Sequence, residues 1–224
     1  VIGLGRMAYG EALELQRALA QQRIDRTAPH DLLVLVEHPP VVTLGRGSRP
    51  EHLSTPPEFL QAKGVELFEI ERGGDVPFHG PGQLVGYPIF DLGEHKKDLH
   101  WFLRQLEEAL IVALRELGIA AERRAGYTGV WTSGRKIASI GIHVKQWVTW
   151  HGFALNVSTD LSYFDLIVPC GIPNVTMTSV QRELVERAPR DLWSRALDSV
   201  VLGFAEVFQQ RPQAVSLPTL SHQL

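Results

Sequence analysis

Cys170 is the single cysteine of the chain, and it lies in Pro169-Cys170-Gly171-Ile172-Pro173, where two prolines hold the segment out of helix. A lone cysteine is most often a small buried hydrophobe. The setting argues for a second reading, because Gly171 leaves the adjacent backbone uncrowded for a ligand. A nucleophilic cysteine needs a base or a positive charge beside it to form thiolate near neutral pH. Lys136 is the candidate. Along Lys136 to Val144 a period of two puts Lys136 on one strand face with Ala138, Ile140 and Ile142, and Ser139, Gly141 and His143 on the other. A lysine on an apolar face is poorly solvated, which disfavours its charged form and suits it to proton transfer. The competing reading is a lysine at the first strand residue snorkelling to water. The chain uses 17 arginines and only 5 lysines, so lysine is not its default cation. On strict alternation Lys136 and His143 do not both reach the Cys170 sulfur unless the strand bulges near Gly141.

The densest ligand signal is Arg72-Gly73-Gly74-Asp75-Val76-Pro77-Phe78-His79-Gly80-Pro81-Gly82-Gln83. Its glycines leave backbone N–H groups open to a ligand, and Arg72 and His79 add a fixed cation and a titratable ring. A plain glycine-rich hairpin turn is the bland alternative. Gly3-Leu4-Gly5-Arg6-Met7-Ala8 matches the dinucleotide fingerprint, with Glu37 in the place of a ribose-binding acid. That fingerprint works only when a strand delivers the glycines to a helix N-terminus, and only Val1-Ile2 precede them. No phosphate loop, H-E-x-x-H or G-x-S-x-G elbow is present, and nine scattered histidines with one cysteine make no zinc-type cluster. The expectation is catalysis without a metal. The five tryptophans read as core and rim residues rather than a stacking platform for bases.

The elements that must position these residues follow from periodicity. Ala12, Leu15 and Leu19 predict a helix from about Tyr9 to Gln22. Short strands are expected at Leu32 to Glu37, Val41 to Leu44, Val65 to Glu71 and Leu84 to Leu92, with Pro88 arguing that the last is an edge or carries a bulge. Arg49 to Pro57 reads as a surface loop. Asp98 caps a helix whose stripe includes Phe102, Leu106, Leu110 and Leu114, and Gly118 ends it. Tyr127 to Thr132, Lys136 to Val144 and Trp147 to Val157 read as strands, the last two forming a hairpin across Lys145-Gln146. A final helix runs from about Asp191 to Phe208, and the tail after about residue 211 is expected to fray. Strands in antiparallel pairs with helices at intervals indicate an α+β fold.

Composition bounds the rest. At 224 residues the chain fits one domain spanning 1–224, with no disulfide or metal staple needed for folding. Hydrophobic residues at 44% and charged residues at 21% exclude a disordered or fibrous chain. A net charge of −3 and the lack of a basic stripe argue against a nucleic-acid partner. The longest unbroken aliphatic run, Leu32 to Val36, is far short of the about 20 residues that span a bilayer, so no membrane association is expected. Val1-Ile2-Gly3-Leu4-Gly5-Arg6 does not read as a signal peptide, and one cysteine suits a reducing cytoplasm.

Taken in order, Val42-Thr43-Leu44-Gly45-Arg46, Arg72-Gly73-Gly74 running into His79-Gly80-Pro81-Gly82-Gln83, Gly134 to His143, Gly152-Phe153-Ala154-Leu155-Asn156-Val157 and Pro169-Cys170-Gly171-Ile172 resemble the octanoyltransferases of protein lipoylation. The resemblance runs from about Tyr9 to Arg182. It implies a mixed, largely antiparallel sheet flanked by helices, like the catalytic domains of biotin and lipoate protein ligases. The implied reaction moves an octanoyl group from octanoyl-acyl carrier protein to a lysine on apo lipoyl domains of 2-oxo acid dehydrogenase complexes and glycine cleavage H protein, with no cofactor. By the same resemblance Cys170 is the acyl-thioester nucleophile and Lys136 the residue that lowers its pKa. Arg72, Gly73, Gly74, Asp75, Val76, Pro77, Phe78, His79, Ser139, Ile140, Gly141, Gly152, Phe153 and Ala154 are the implied substrate-binding walls. The family commonly has Gln and Thr where this chain has Asp75 and Pro77, and Pro77 removes a backbone donor. Two rivals remain: an ATP-dependent lipoate or biotin ligase on the same fold, which needs no cysteine, and an idle member that only binds acyl or lipoyl domains.

Overall fold

The strongest apolar stripe forms the longest helix. Asp98 accepts a hydrogen bond from the Trp101 N–H at 3.0 Å and so caps α3 (Leu99–Glu116). Gly118 ends it at a φ of +77°, with the Ile119 N–H closing back on the Leu114 carbonyl at 2.9 Å. The other helices are α1 (Tyr9–Ile24), α2 (Pro57–Ala62), α4 (Val180–Leu184) and α5 (Leu192–Phe208). The computed structural model describes residues 1–48, 52–73, 76–172 and 175–215, with the backbone alone at Cys170. Among them no helix is long and apolar enough to cross a membrane.

The strands are β1 (Ile2–Arg6), β2 (Leu32–Glu37), β3 (Val41–Leu44), β4 (Glu66–Glu69), β5 (Phe78–His79), β6 (Gln83–Ile89), β7 (Val130–Thr132), β8 (Arg135–Lys145) and β9 (Val148–Asn156). Six form one sheet in the order β1-β2-β6-β9-β8-β7, antiparallel except for β1 beside β2. A smaller sheet, β4-β3-β5, is parallel in its first pair and antiparallel in its second. The architecture is α+β, a mixed and largely antiparallel sheet with helices on both faces.

Alternation assigns each face of the large sheet. Leu33, Leu35, Leu84, Phe153 and Leu155 pack with α3 and α5 through Phe102, Leu106, Leu110, Val200 and Phe204. The intervening Val34, Val36, Val85, Tyr87 and Ala154 turn to the other side and meet Ala12, Leu19 and Ala20 of α1. A cavity lies on this α1 side.

Several elements depart from the sequence expectations. Gly3 and Gly5 lie inside β1 rather than in a turn between a strand and a helix, so the dinucleotide fingerprint has no geometric basis here. The strand expected from Tyr127 begins only at Val130, because the chain turns at Gly126 and Gly129, with φ of +82° and +138°. The hairpin turn is Gln146-Trp147, both at positive φ, one residue later than expected. Pro57–Ala62 is a helix with proline in its first turn. Pro88 was expected at an edge or bulge, yet β6 is central. It is tolerated because the β6–β9 ladder ends at Gly86 opposite Phe153, leaving Pro88 beyond the last rung on that side. Beyond it β9 passes too close for a side chain: a Cβ on Gly152 would lie 2.1 Å from the Gly86 carbonyl oxygen.

Candidate active site

A cavity of about 290 Å³ opens between the α1 face of the large sheet and the small sheet. β8 contributes Lys136, Ser139, Ile140 and Gly141, and β9 contributes His151, Gly152, Phe153 and Ala154. The glycine-rich segment and β5 supply Arg72, Pro77 and His79. Gly171, which ends the short 3-10 turn Pro169–Gly171, and Ile172 after it close another wall. The β8–β9 hairpin and two segments far from it in sequence therefore converge on one space.

Lys136 enters this space through a bulge. Val130 pairs with Ala138, but Trp131 pairs with Lys136, so β8 carries an extra residue at Ile137. Ile137 and Ala138 both join the core under α3. Alternation is reset, and Lys136 lines the same cavity as Ser139 and Gly141. The expectation that strict alternation places Lys136 opposite Ser139 and Gly141 is thus corrected, with the bulge four residues before Gly141. The Lys136 backbone leaves β9 and pairs with the segment after Cys170: its N–H donates to Thr176 at 2.8 Å and its carbonyl accepts from Thr178 at 2.9 Å. The side chain is 1% exposed, so it does not snorkel to water.

A hydrogen-bond chain on the opposite wall fixes the state of His79. The Thr178 carbonyl can only accept, so the Asn156 Nδ2 that reaches it at 3.0 Å is a donor. Asn156 Oδ1 then accepts from Gln83 Nε2 at 2.9 Å, which leaves Gln83 Oε1 to accept from His79 Nδ1–H at 2.8 Å. Burial pushes the ring down to about 3, reinforced by His38 nearby. His79 is therefore a neutral ring with its lone pair on Nε2. His143 does not line the cavity; its Nδ1 bonds the Glu71 carbonyl at 3.1 Å and its ring packs on Trp150.

Arg72 is 6% exposed and is held by Thr43 Oγ1 at 3.0 Å and the Gly73 carbonyl at 2.9 Å. Pro77 lacks an N–H, but its carbonyl accepts from the Thr43 N–H at 3.2 Å. Three expected wall residues sit elsewhere: Gly73 is exposed, its N–H on the Ile142 carbonyl, while Val76 and Phe78 pack behind the wall with Phe164 and Ile167. Gly74, Asp75 and the Cys170 side chain lie outside the described residues.

Tyr9, Tyr87 and His151 line the cavity without having been singled out in the sequence. His151 adjoins the matched Gly152 segment and takes a φ of +57° within β9. Desolvation lowers its ring to about 3, and lowers His38, which donates from Nδ1 to the Met7 carbonyl and accepts from the Tyr87 hydroxyl at 2.7 Å, to about 4. The sign of the pH dependence follows. Unfolded histidine titrates near 6.5, so below that value the unfolded chain takes up protons that these three rings refuse. Stability is present at neutral pH and is lost as pH falls from about 6.5 toward the folded values of about 3 to 4. The expected loss is about 2 kcal/mol per ring by about pH 5, read by urea unfolding across that interval. Equal stability at both ends would contradict neutral burial of these rings.

Comparison with known proteins bears on this geometry. The lipoyl protein ligase A/B catalytic domain model matches residues 8–199. The chain is similar to an octanoyltransferase of Caldanaerobacter subterraneus, 43% identical over 99% of this chain and 95% of that protein. An octanoyltransferase of Gloeobacter violaceus is 48% identical over 91% of this chain and 87% of its own length. Among solved structures, a lipoate-protein ligase A bound with ATP superposes with a TM-score of 0.77 at 17% identity, covering 99% of this chain and 91% of the other.

Proposed function

Because the chain belongs to the octanoyltransferases within the lipoyl protein ligase A/B catalytic-domain family, we propose that it moves an octanoyl group from octanoyl-acyl carrier protein, through a thioester on Cys170, to a lysine of apo lipoyl domains. The acceptors are the lipoyl domains of 2-oxo acid dehydrogenase complexes and glycine cleavage H protein, and the reaction takes place in the cytoplasm without a cofactor. The observation that carries this reading is the convergence of buried Lys136, the Gly171-Ile172 continuation of the Cys170 turn and an apolar wall on one cavity.

The chemistry balances with these groups alone. Lys136 takes the Cys170 thiol proton, and the thiolate attacks the carrier thioester carbonyl. The carrier thiolate leaves and takes the proton from the Lys136 ammonium. A neutral acceptor lysine then attacks the Cys170 thioester, loses its proton to Lys136, and the amide departs from the restored thiolate. One site serves donor and acceptor in turn, which gives ping-pong kinetics.

The apolar wall suits the acyl chain. Val85, Ala154 and Ile172 line it, and burying about seven methyl and methylene groups contributes ~5 kcal/mol at ~0.8 kcal/mol each. Ala154→Leu adds volume to this wall and is expected to lower octanoyl transfer roughly tenfold more than butyryl transfer, as if two methylenes lost their place. Steady-state rates with the two carriers check it, and an equal loss with both would put the chain elsewhere.

Two-substrate kinetics without ATP test the function itself. Parallel double-reciprocal lines with octanoyl-carrier and apo lipoyl domain are expected. Transfer that requires ATP and free octanoate would instead establish the ligase chemistry.

A further inference from the structure

Among the described residues, an indole ring and a glycine pack along the Lys136 side chain. Its Nζ lies 5.1 Å from the centroid of the Trp131 ring. Gly129 adjoins both, since a Cβ there would come within 2.9 Å of Lys136 Cε, 3.3 Å of Trp131 Cη2 and 2.7 Å of the Ala138 carbonyl oxygen. The Gly129 N–H is tied at 3.1 Å to Oε1 of Glu107, a carboxylate on α3 that is wholly buried. A larger residue at 129 would crowd the Lys136 stem and the indole together.

The indole itself is placed at a cost. Trp131 is 1% exposed, and its Nε1–H is buried with no hydrogen-bond partner among the described residues. Leaving such a donor unpaired costs free energy that a phenylalanine would avoid. What tryptophan offers in return is the most electron-rich ring face of any side chain, and a cation–π contact gains strength when the cation is desolvated. Lys136 is desolvated.

We propose that Trp131 is a positioning residue of the Cys170/Lys136 pair, whose ring face stabilises the Lys136 ammonium whenever Lys136 carries the proton of Cys170 or of the acceptor amine. This rests on the functional reading above. The ring favours the thiolate/ammonium state over the thiol/amine state, and so raises the fraction of attacking thiolate near neutral pH. The covalent steps are unchanged: the proton moves between sulfur and nitrogen, and Trp131 exchanges nothing. Among the described residues, the other titratable or charged groups lining the cavity are Tyr9, Arg72, His79, Tyr87, Tyr127 and His151, with Glu107 behind Gly129. All remain in place when residue 131 alone is changed.

The test is the rate of Cys170 alkylation by iodoacetamide against pH, measured for wild type, Trp131→Phe, Trp131→Leu, Lys136→Met and the double variant Trp131→Leu/Lys136→Met. Trp131→Leu is expected to raise the midpoint by about one pH unit, a tenfold loss of thiolate equal to about 1.4 kcal/mol, and Trp131→Phe to raise it less. In the Lys136→Met background the change at 131 is expected to add nothing, which a merely structural role would not produce. Should Trp131→Leu fail to fold by circular dichroism, Trp131→Phe decides, since it keeps the packing and weakens the face. A midpoint at the wild-type value in the folded variants, with Lys136→Met shifted, would overturn the role of the ring alone. An unshifted Lys136→Met would overturn the underlying pairing of Lys136 with Cys170, and this proposal with it.

Discussion

Replacing Cys170 by alanine is expected to reduce octanoyl transfer by roughly four to six orders of magnitude, the scale on which removal of a covalent nucleophile acts. Cys170→Ser is expected to do nearly as badly. A hydroxyl holds its proton far more tightly than a thiol, and an oxygen ester would then face an amine acceptor without the good leaving group that a thiolate provides. Neither substitution touches the wall residues of β6, β8, β9 and the segment around His79. Affinity for octanoyl-carrier should therefore persist while turnover vanishes. Steady-state transfer and a direct binding measurement on the same samples read the two effects apart. Activity of Cys170→Ser with ATP and free octanoate would instead favour a ligase.

Lys136→Arg carries the second large effect. Arginine keeps the positive charge but does not give up its proton in a protein, so it can stabilise a thiolate yet cannot return a proton to the leaving carrier thiol or take one from the acceptor amine. Transfer is expected to fall by about 10²–10⁴-fold, the usual contribution of a positioned acid–base group, with the fold retained. Alkylation of Cys170 should be affected far less than transfer, which separates electrostatic activation from proton shuttling. Full transfer with a normal pH profile would pass the shuttle to His79, the neutral ring with its lone pair on Nε2 that shares the cavity; His143 is excluded by its place against Trp150.

What could be read from the sequence divides along physical lines. Helix α3 was legible because its signals are local: the Asp98 cap, the apolar stripe and Gly118 all act within a turn or two of the residues they define. The β8–β9 hairpin was legible for the same reason. Strand β1 was not, since its parallel partner β2 lies across the whole of α1 and its own residues are glycine-rich. Pro88 misled because edge and centre are properties of the neighbour, and β9 happens to stop pairing with β6 two residues short of it. At the site, residue types alone marked Lys136, Arg72 and His79. The bulge at Ile137 that delivers Lys136 is set by β7 and by the Thr176–Thr178 segment, neither of which appears in the period of β8 itself. His151 escaped notice because its positive φ contradicts the strand pattern it sits in.

The central claim is that the acyl group rests on Cys170 between donor and acceptor. Intact-mass spectrometry after mixing the protein with octanoyl-acyl carrier protein, in the absence of any lipoyl domain, tests it directly. The account predicts a mass increase of one octanoyl group, mapped by peptide analysis to Cys170 and discharged when apo lipoyl domain is added. An unmodified protein that still transfers octanoate, or an acyl group mapped to any other residue, would contradict it.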